Sequence, residues 1–326
     1  MTQTTQTAEE GSGGGPRRAR MTGIDVRQYI VYIALVLVFV MFAVALGDQG
    51  FLESNNLLNI VRQTATISIM AVAMVFVLSS AEIDLSIGAI AGLASVVTAL
   101  AIEAQGILLG VVAGLTVGIV IGAINGFLVT IARIPSFLVT LGMLGIVTGF
   151  AQLITNTAPV PILSDSYNSI FGGGDIGPVP GLVIWTLAAV AAGHVFLRHT
   201  PFGRKVLATG GNRMAAEYSG IRTNQIKFKV LMISALAASV AGMIYAGRLQ
   251  TGRYQWGQGD ELSVIAAAIL GGTSLFGGKG TVIGALAGSL LIGLINNGLV
   301  LGGFDYSQQQ MARGAIIIFA VALARR

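Results

Sequence analysis

Apolar runs of about 18 residues or more recur along this chain, each long enough as a helix to cross roughly 30 Å of hydrocarbon. A bilayer also forces the backbone to satisfy its own polar groups, which leaves helices as the way to use such runs. The expected fold is therefore an all-α polytopic membrane protein. Composition agrees, with 54% hydrophobic and only 10% charged residues. The 45 glycines fit the same class, because small residues let membrane helices approach closely.

Residues 1–27 are polar, and the run GSGGGPRR reads as a disordered cytoplasmic tail with too little apolar surface to fold. It lacks the apolar core and cleavage site of a signal peptide. Ten spans follow, at about 29–46, 62–80, 86–103, 107–131, 137–155, 181–197, 227–246, 261–277, 281–301 and 309–324. Arg17, Arg18, Arg20 and Arg27 precede the first and hold the N-terminus inside. The ten-span count then puts 15 of the 19 basic residues, and both termini, on the cytoplasmic side. Arg62, Arg248, Arg253 and Arg313 are the exceptions. Basic residues gathered at span ends, rather than on one face, argue against nucleic-acid binding. Between spans, residues 157–181 carry four prolines and three consecutive glycines, and form the main external loop. Residues 162–170 within it read as a short amphipathic piece on the membrane surface or as irregular loop.

Shifted by 171 residues, VVAGLTVGIVIGAINGFLV (111–129) aligns without gaps on VIGALAGSLLIGLINNGLV (282–300) and shares a Gly-x-x-Asn. This is read as an internal repeat, with halves near 51–156 and 222–324, and internal repeats are a common plan of transporters. Glycines 106, 110, 114, 118, 122 and 126 recur every four residues and leave a groove of bare backbone along one helix face. Packing by small residues is its plain explanation, and a face that slides during transport is the sharper one.

Polar groups inside the spans are few and expensive. Glu82 and Asp84, in SSAEIDLSIG, have no basic neighbour in sequence, so each must cap a helix, find donors or line a cavity. Asn125, Asn296 and Asn297 need partners in a dry environment and read as interhelical hydrogen bonds or as polar points on a solute path. LGGTSLFGGKG (270–280) fails as a phosphate loop, since Gly280 stands where Ser or Thr is required after the lysine. The chain has no cysteine, and His194 and His199 lack the spacing of a zinc helix. No catalytic residue, metal site or directly bound cofactor is expected, and the chain does not read as an enzyme.

The longest strongly polar, helix-compatible segment is TPFGRKVLATGGNRMAAEYSGI (200–221). Thr200-Pro201 suits a cap and first helical residue. Gly210-Gly211 should break the helix, and Arg213 to Ile221 reads as a second short helix ended by Gly220. The expected product is a basic cytoplasmic knob, with Ala215 and Ala216 exposed.

Here the chain resembles the permease subunits of bacterial ABC importers for ribose, xylose and related sugars. The likeness rests on FLESNNLLNIVRQTA (51–65), EIDLSIGAIAGL (82–93), GAINGFLVTIARIPSFLVTLGML (122–144), TPFGRKVLATGGNRMAAEYSGI (200–221), ELSVIAAAILGGTSLFGGKGTVIGALAG (261–288) and INNGLVLGG (295–303), in that order. It implies a bacterial inner-membrane permease in a homodimer or paired with a paralogue. Its partners would be a cytoplasmic ATP-binding subunit, which brings ATP and magnesium, and an extracytoplasmic sugar-binding protein. Segment 198–222 would couple to the ATPase through Pro201, Phe202, Gly203, Arg204, Gly210, Gly211, Asn212, Ala215, Ala216 and Gly220. Glu82, Asp84, Asn125, Phe137, Asn296 and Asn297 are the candidates for path or gate. Ser79-Ser80-Ala81-Glu82 departs from the paired glycines of many such permeases, which stiffens that turn and is compatible with a xylose-like branch. Pentose, hexose, polyol and nucleoside cargo stay open. An ion-coupled secondary transporter or a membrane scaffold are the rivals.

Overall fold

The computed structural model describes residues 30–177 and 179–324, so the expected tail at 1–27 and the terminal arginines lie outside the described residues. The chain is a helical bundle: α1 (Ile30–Ala45), α2 (Ser54–Ser79), α3 (Ile87–Gln105), α4 (Ile107–Thr130), α5 (Ser136–Thr155), α6 (Asp165–Asn168), α7 (Gly181–His199), α8 (Pro201–Gly211), α9 (Arg213–Tyr218), α10 (Thr223–Arg248), α11 (Asp260–Leu270), α12 (Val282–Leu301) and α13 (Tyr306–Ala324). Seven of these, α2, α3, α4, α5, α7, α10 and α12, are long and apolar enough to cross a membrane. Leu108, Val44, Leu153 and Ile146 stand out from the bundle at 80%, 82%, 72% and 66% exposure. Such apolar surface would be a liability in water and is the expected coat of a bundle solvated by lipid. The molecule is a multi-pass membrane protein.

The expected span at 261–277 is corrected. Helix α11 stops at Leu270 after 11 residues, about 16 Å at 1.5 Å per residue, roughly half the hydrocarbon thickness. Gly271 and Gly272 end it, with Gly272 at φ +92°, and their backbone lies hard against Gly284 and Thr281 of the next element. The chain instead reaches α11 through a non-helical stretch, 249–259, which is made of the short strand 251–252 and successive turns and lies against α3. A Cβ at Gly252 would stand 2.6 Å from Ser95 O, and one at Gly92 would stand 2.5 Å from Tyr254 O. Gln250, Gly257 and Gly259 take positive φ along this stretch. Residues 80–86 between α2 and α3 are likewise non-helical, and Gly88 just beyond them lies against Gly257.

The order long helix, non-helical stretch, helix, long helix, helix therefore occurs twice, as α2 to α5 and as α10 to α13. Tertiary contacts follow the same offset. Gly122 on α4 meets Ala235 on α10, and Gly293 on α12 meets Thr64 on α2; positions 122 and 293, and 64 and 235, each differ by 171. One turn away, Gly118 faces Ser239, while Ser289 bonds Ser68 at 2.7 Å. These four positions differ by the same number. The glycine groove of α4 is filled along its length, by Thr98 and Met243 at Gly114 and by Phe228 at Gly126.

The 162–170 region contains a helical piece that turns Tyr167 and Asn168 inward and leaves Leu163 and Ile170 exposed at 89% and 54%. Helix α6 and the π-helical turn Ser169–Gly173 place Tyr167 wholly inside, where its hydroxyl donates to Met243 O at 2.9 Å. Phe171 stacks between Tyr167 and Trp185. Strand β1 (Val160–Pro161) pairs antiparallel with β4 (Thr251–Gly252), which ties this loop to the stretch before α11. Strands β2 (Asp175–Ile176) and β3 (Val179–Pro180) form a second small hairpin.

Candidate functional site

Helix α8 begins as the sequence implies. Thr200 Oγ1 accepts the Gly203 amide at 3.2 Å, and Pro201 occupies the first turn, where its missing N–H costs nothing. The break between α8 and α9 is corrected by two residues. Gly210 and Gly211 remain helical, and the chain turns at Asn212, whose extended backbone stops α8 while its Oδ1 accepts the Ala215 amide at 3.0 Å and starts α9. Gly220, at φ +80°, follows the end of α9 as expected. Arg213 Nε then bonds Glu217 Oε1 at 2.9 Å, and the Thr223 hydroxyl donates to the same oxygen at 2.6 Å. These donors, Thr223 foremost, hold the Glu217 carboxyl below its ordinary range.

Gly210 is required for a close approach, not for a break. A side chain there would run into Ser79 O at the end of α2 and stand 2.9 Å from Gly278 N, in the turn that follows α11. Gly278 N donates to Ser79 O at 3.0 Å, so α8 sits on the point where the two repeats' turns meet. Gly203 is buried against the Leu197 backbone, and Phe202 stacks on Phe76 of α2 at 6.2 Å. Ala216 is buried, which corrects its expected exposure, while Ala215 is exposed. The outward face is made by Pro201, Arg204, Lys205, Asn212, Ala215, Met214 at 69% and Tyr218 at 91% exposure. Met214 and Tyr218 were missed from sequence. Their signal is two large apolar side chains four apart in a segment otherwise polar and basic.

The polar groups within the bundle do not converge on one site. Glu82 has a partner distant in sequence, Lys227 on α10, with both side chains largely buried. Asp84 is fully buried: Oδ1 accepts the amide and hydroxyl of Ser86 at 2.9 and 2.6 Å, and Oδ2 accepts the Ser234 hydroxyl at 2.7 Å. Asn125 donates to Ser86 Oγ at 3.0 Å and joins α4 to this network. The network therefore fixes the start of α3 between α4 and α10. Asn297 forms a reciprocal amide pair with Asn56 at 3.2 and 2.9 Å, at the opposite end of α2. Phe137 stands on an exposed face of α5 at 46%, and Asn296 is half-buried.

Three of the four basic residues that broke the charge pattern have partners among the described residues. Arg62 pairs with Asp175 at 3.1 Å, and Arg248 donates to Arg62 O at 3.5 Å. Arg253 lies over the Trp256 ring at 5.7 Å. Arg313, on α13, approaches the start of α11, where Tyr245 donates to Asp260 Oδ2 at 2.6 Å. This last group was also missed, because a continuous span from 261 leaves Asp260 in a loop and hides its burial.

A helical bundle in two matched halves, with seven helices of membrane-crossing length and a polar knob seated on turns of both halves, is the architecture of an all-α multi-pass membrane protein. The chain belongs to the family described as "Branched-chain amino acid transport system / permease component", which matches residues 56–321. It is 37% identical to the ribose import permease protein RbsC of Bacillus subtilis (strain 168), over 90% of this chain and 91% of that one. It is 38% identical to RbsC of Escherichia coli (strain K12), over 88% and 91%, and 35% identical to the L-arabinose ABC transporter permease protein AraH of Azospirillum brasilense, over 94% and 90%. No solved structure gives a match.

Proposed function

We propose that this chain is the permease of an ATP-driven sugar importer in a bacterial inner membrane, with both termini in the cytoplasm. It works as one of two permease copies. An ATP-binding subunit inside supplies ATP and magnesium, and a sugar-binding protein outside delivers a pentose or related sugar. The observation that carries the reading is the seat of α8, where Gly210 touches both Ser79 and Gly278. A force applied to the exposed face of α8 and α9 reaches the turns of both repeats without an intervening flexible loop. In this reading Tyr218, Met214 and Arg204 meet the ATPase, while Phe202 and Gly203 carry the displacement inward to α2 and α7. The repeat halves, 51–156 and 222–324, are the bodies that move, and the Glu82–Lys227 pair and the Asp84 network are the joints between them. The relatives' names point to sugars, which is the basis for preferring them over the amino acids in the family description.

The test is uptake by proteoliposomes that hold the permease with its ATP-binding subunit and sugar-binding protein. Labelled D-ribose or L-arabinose accumulates when ATP is enclosed on the ATPase side and not when the ATPase is left out. Uptake driven by an ion gradient alone would overturn the assignment, as would ATP-driven uptake of leucine with no sugar transported.

A further inference from the structure

Helices α7 and α10 stand on either side of α2 and leave between them an apolar cleft of about 390 Å³. Its floor is α2, where Val72 and Phe76 line it although they are only 5% and 2% exposed, so the cleft is deep and narrow. The room is made on α7, whose lining side chains include Ala188, Ala189 and Ala192; those of α10, such as Ile233 and Val240, are larger. Trp185 and Phe196 bound the cleft along α7, about 16 Å apart at 1.5 Å per residue. That is roughly half of the 30 Å hydrocarbon thickness, the depth of one leaflet. The one polar side-chain group on its wall, the Trp185 indole N–H, is spent on Ile170 O at 2.9 Å.

The end of the cleft nearer Phe196 is basic. Lys229 is exposed one turn before Ile233, on the same face of α10. Helix α8 packs on α2, α7 and α10 at this end, against Phe76 and Leu197 among others, and adds the exposed Lys205. Neither lysine has a carboxylate within 4.0 Å among the described residues, and Glu82 is already taken by Lys227, two residues before Lys229. A helix, 10–12 Å across with its side chains, is too thick to reach the floor of such a slot, whereas a flexible hydrocarbon chain can. We infer that the cleft seats one acyl chain of an anionic phospholipid, with its phosphate beside Lys229 and Lys205. Any lipid fills a groove in a bilayer, but free basic groups at the mouth select the headgroup. Phe76, on the floor, also stacks on Phe202 at 6.2 Å, so the seated chain braces the contact through which α8 bears on α2. The inference goes beyond the proposed function. It is independent of cargo and takes from that reading only that α8 lies at the cytoplasmic surface.

The test is native mass spectrometry of the full-length protein, released from micelles that hold phosphatidylglycerol and phosphatidylcholine with the same acyl chains in equal amounts. The parent should retain phosphatidylglycerol in preference. Ala189→Leu, which fills the cleft from α7, should lower that retention by about tenfold or more, the factor that two displaced methylenes already carry. Ala191→Leu, exposed and outside the cleft on the same helix, should bind as the parent does. Lys229→Gln, at an exposed position, should cut the preference for phosphatidylglycerol by about fivefold, the share of one basic group beside an anionic lipid, and Lys229→Arg should keep it. Equal retention of the two lipids by the parent would reduce the cleft to ordinary boundary lipid and overturn the site. Retention unchanged in Ala189→Leu would overturn it too, and if that variant also lost its dimer the cleft would belong to a second copy of the chain. Neither sidedness nor transport enters these readouts, so a failure of ATP-driven sugar uptake would sink the proposed function and leave the lipid site standing.

Discussion

Ala81 turns the non-helical stretch between α2 and α3, and Lys227 on α10 pairs with Glu82 within that stretch. Ala81 sits at φ +61°, a left-handed conformation that a Cβ disfavours by roughly 1 kcal/mol. Ala81→Gly should therefore stabilise the protein by about that amount, less the extra freedom glycine gains when unfolded. A rise in the thermal transition of the detergent-solubilised protein checks it, and a fall would show that the turn is not strained. Lys227 presents the opposite case. Breaking a buried ion pair from one side leaves the other charge uncompensated, at a cost of about 3 to 5 kcal/mol. Lys227→Met should lower the transition markedly, and adding Glu82→Gln should recover most of the loss; equal losses in the single and double variants would mean that the pair is not what holds this stretch.

At the scale of elements, the long apolar helices were legible because twenty or so apolar residues have few other uses. Thr200, Pro201 and Gly220 likewise announced the ends of α8 and α9 through capping chemistry that is local. The half-length α11 was not legible. Its sequence is as apolar as a span, and only the glycines at 252, 257 and 259, which let the turns before it lie against α3, and Gly271 and Gly272 after it decide that the helix begins late and ends at Leu270. The turn at Asn212 was missed for a related reason: Gly210 is spent on a tertiary contact with Ser79, which sequence spacing does not reveal. Helix α9 also carries a pH prediction. Because Glu217 titrates below its ordinary range when folded, its contribution is fully present above the ordinary carboxylate pKa, and it disappears as pH falls through the lowered one. Amide exchange in residues 213–220, corrected for intrinsic rate, should stay constant down to that range and then quicken. Glu217→Gln should be fast throughout, and a variant as slow as the parent at neutral pH would remove the lock.

For the molecule as a whole, the repeat visible at 111–129 and 282–300 reappears as matched contacts, Gly122 on Ala235 and Gly293 on Thr64. What sequence did not disclose is where the polar groups gather. Glu82, Asp84 and Asn125 secure joints near α10, Asn297 ties α12 to α2, and Tyr245 joins α10 to Asp260 at the start of α11. Burial decided this, and burial depends on packing between elements nearly two hundred residues apart. Arg313 did leave a trace, as one of four basic residues on the wrong side of the charge count.

The account turns on α8 transmitting motion to both repeats through Gly210. Its most direct test is the ratio of sugar imported to ATP hydrolysed, measured in the same proteoliposomes for the parent and for Gly210→Ala. A methyl at Gly210 runs into Ser79 O and displaces α8 from its seat while leaving the exposed face of Arg204, Met214 and Tyr218 intact. The expected result is continued hydrolysis with sugar uptake reduced by about tenfold or more, the size of effect that a small misplacement at a transmission point produces. An unchanged ratio of sugar to ATP in a correctly assembled variant would contradict it.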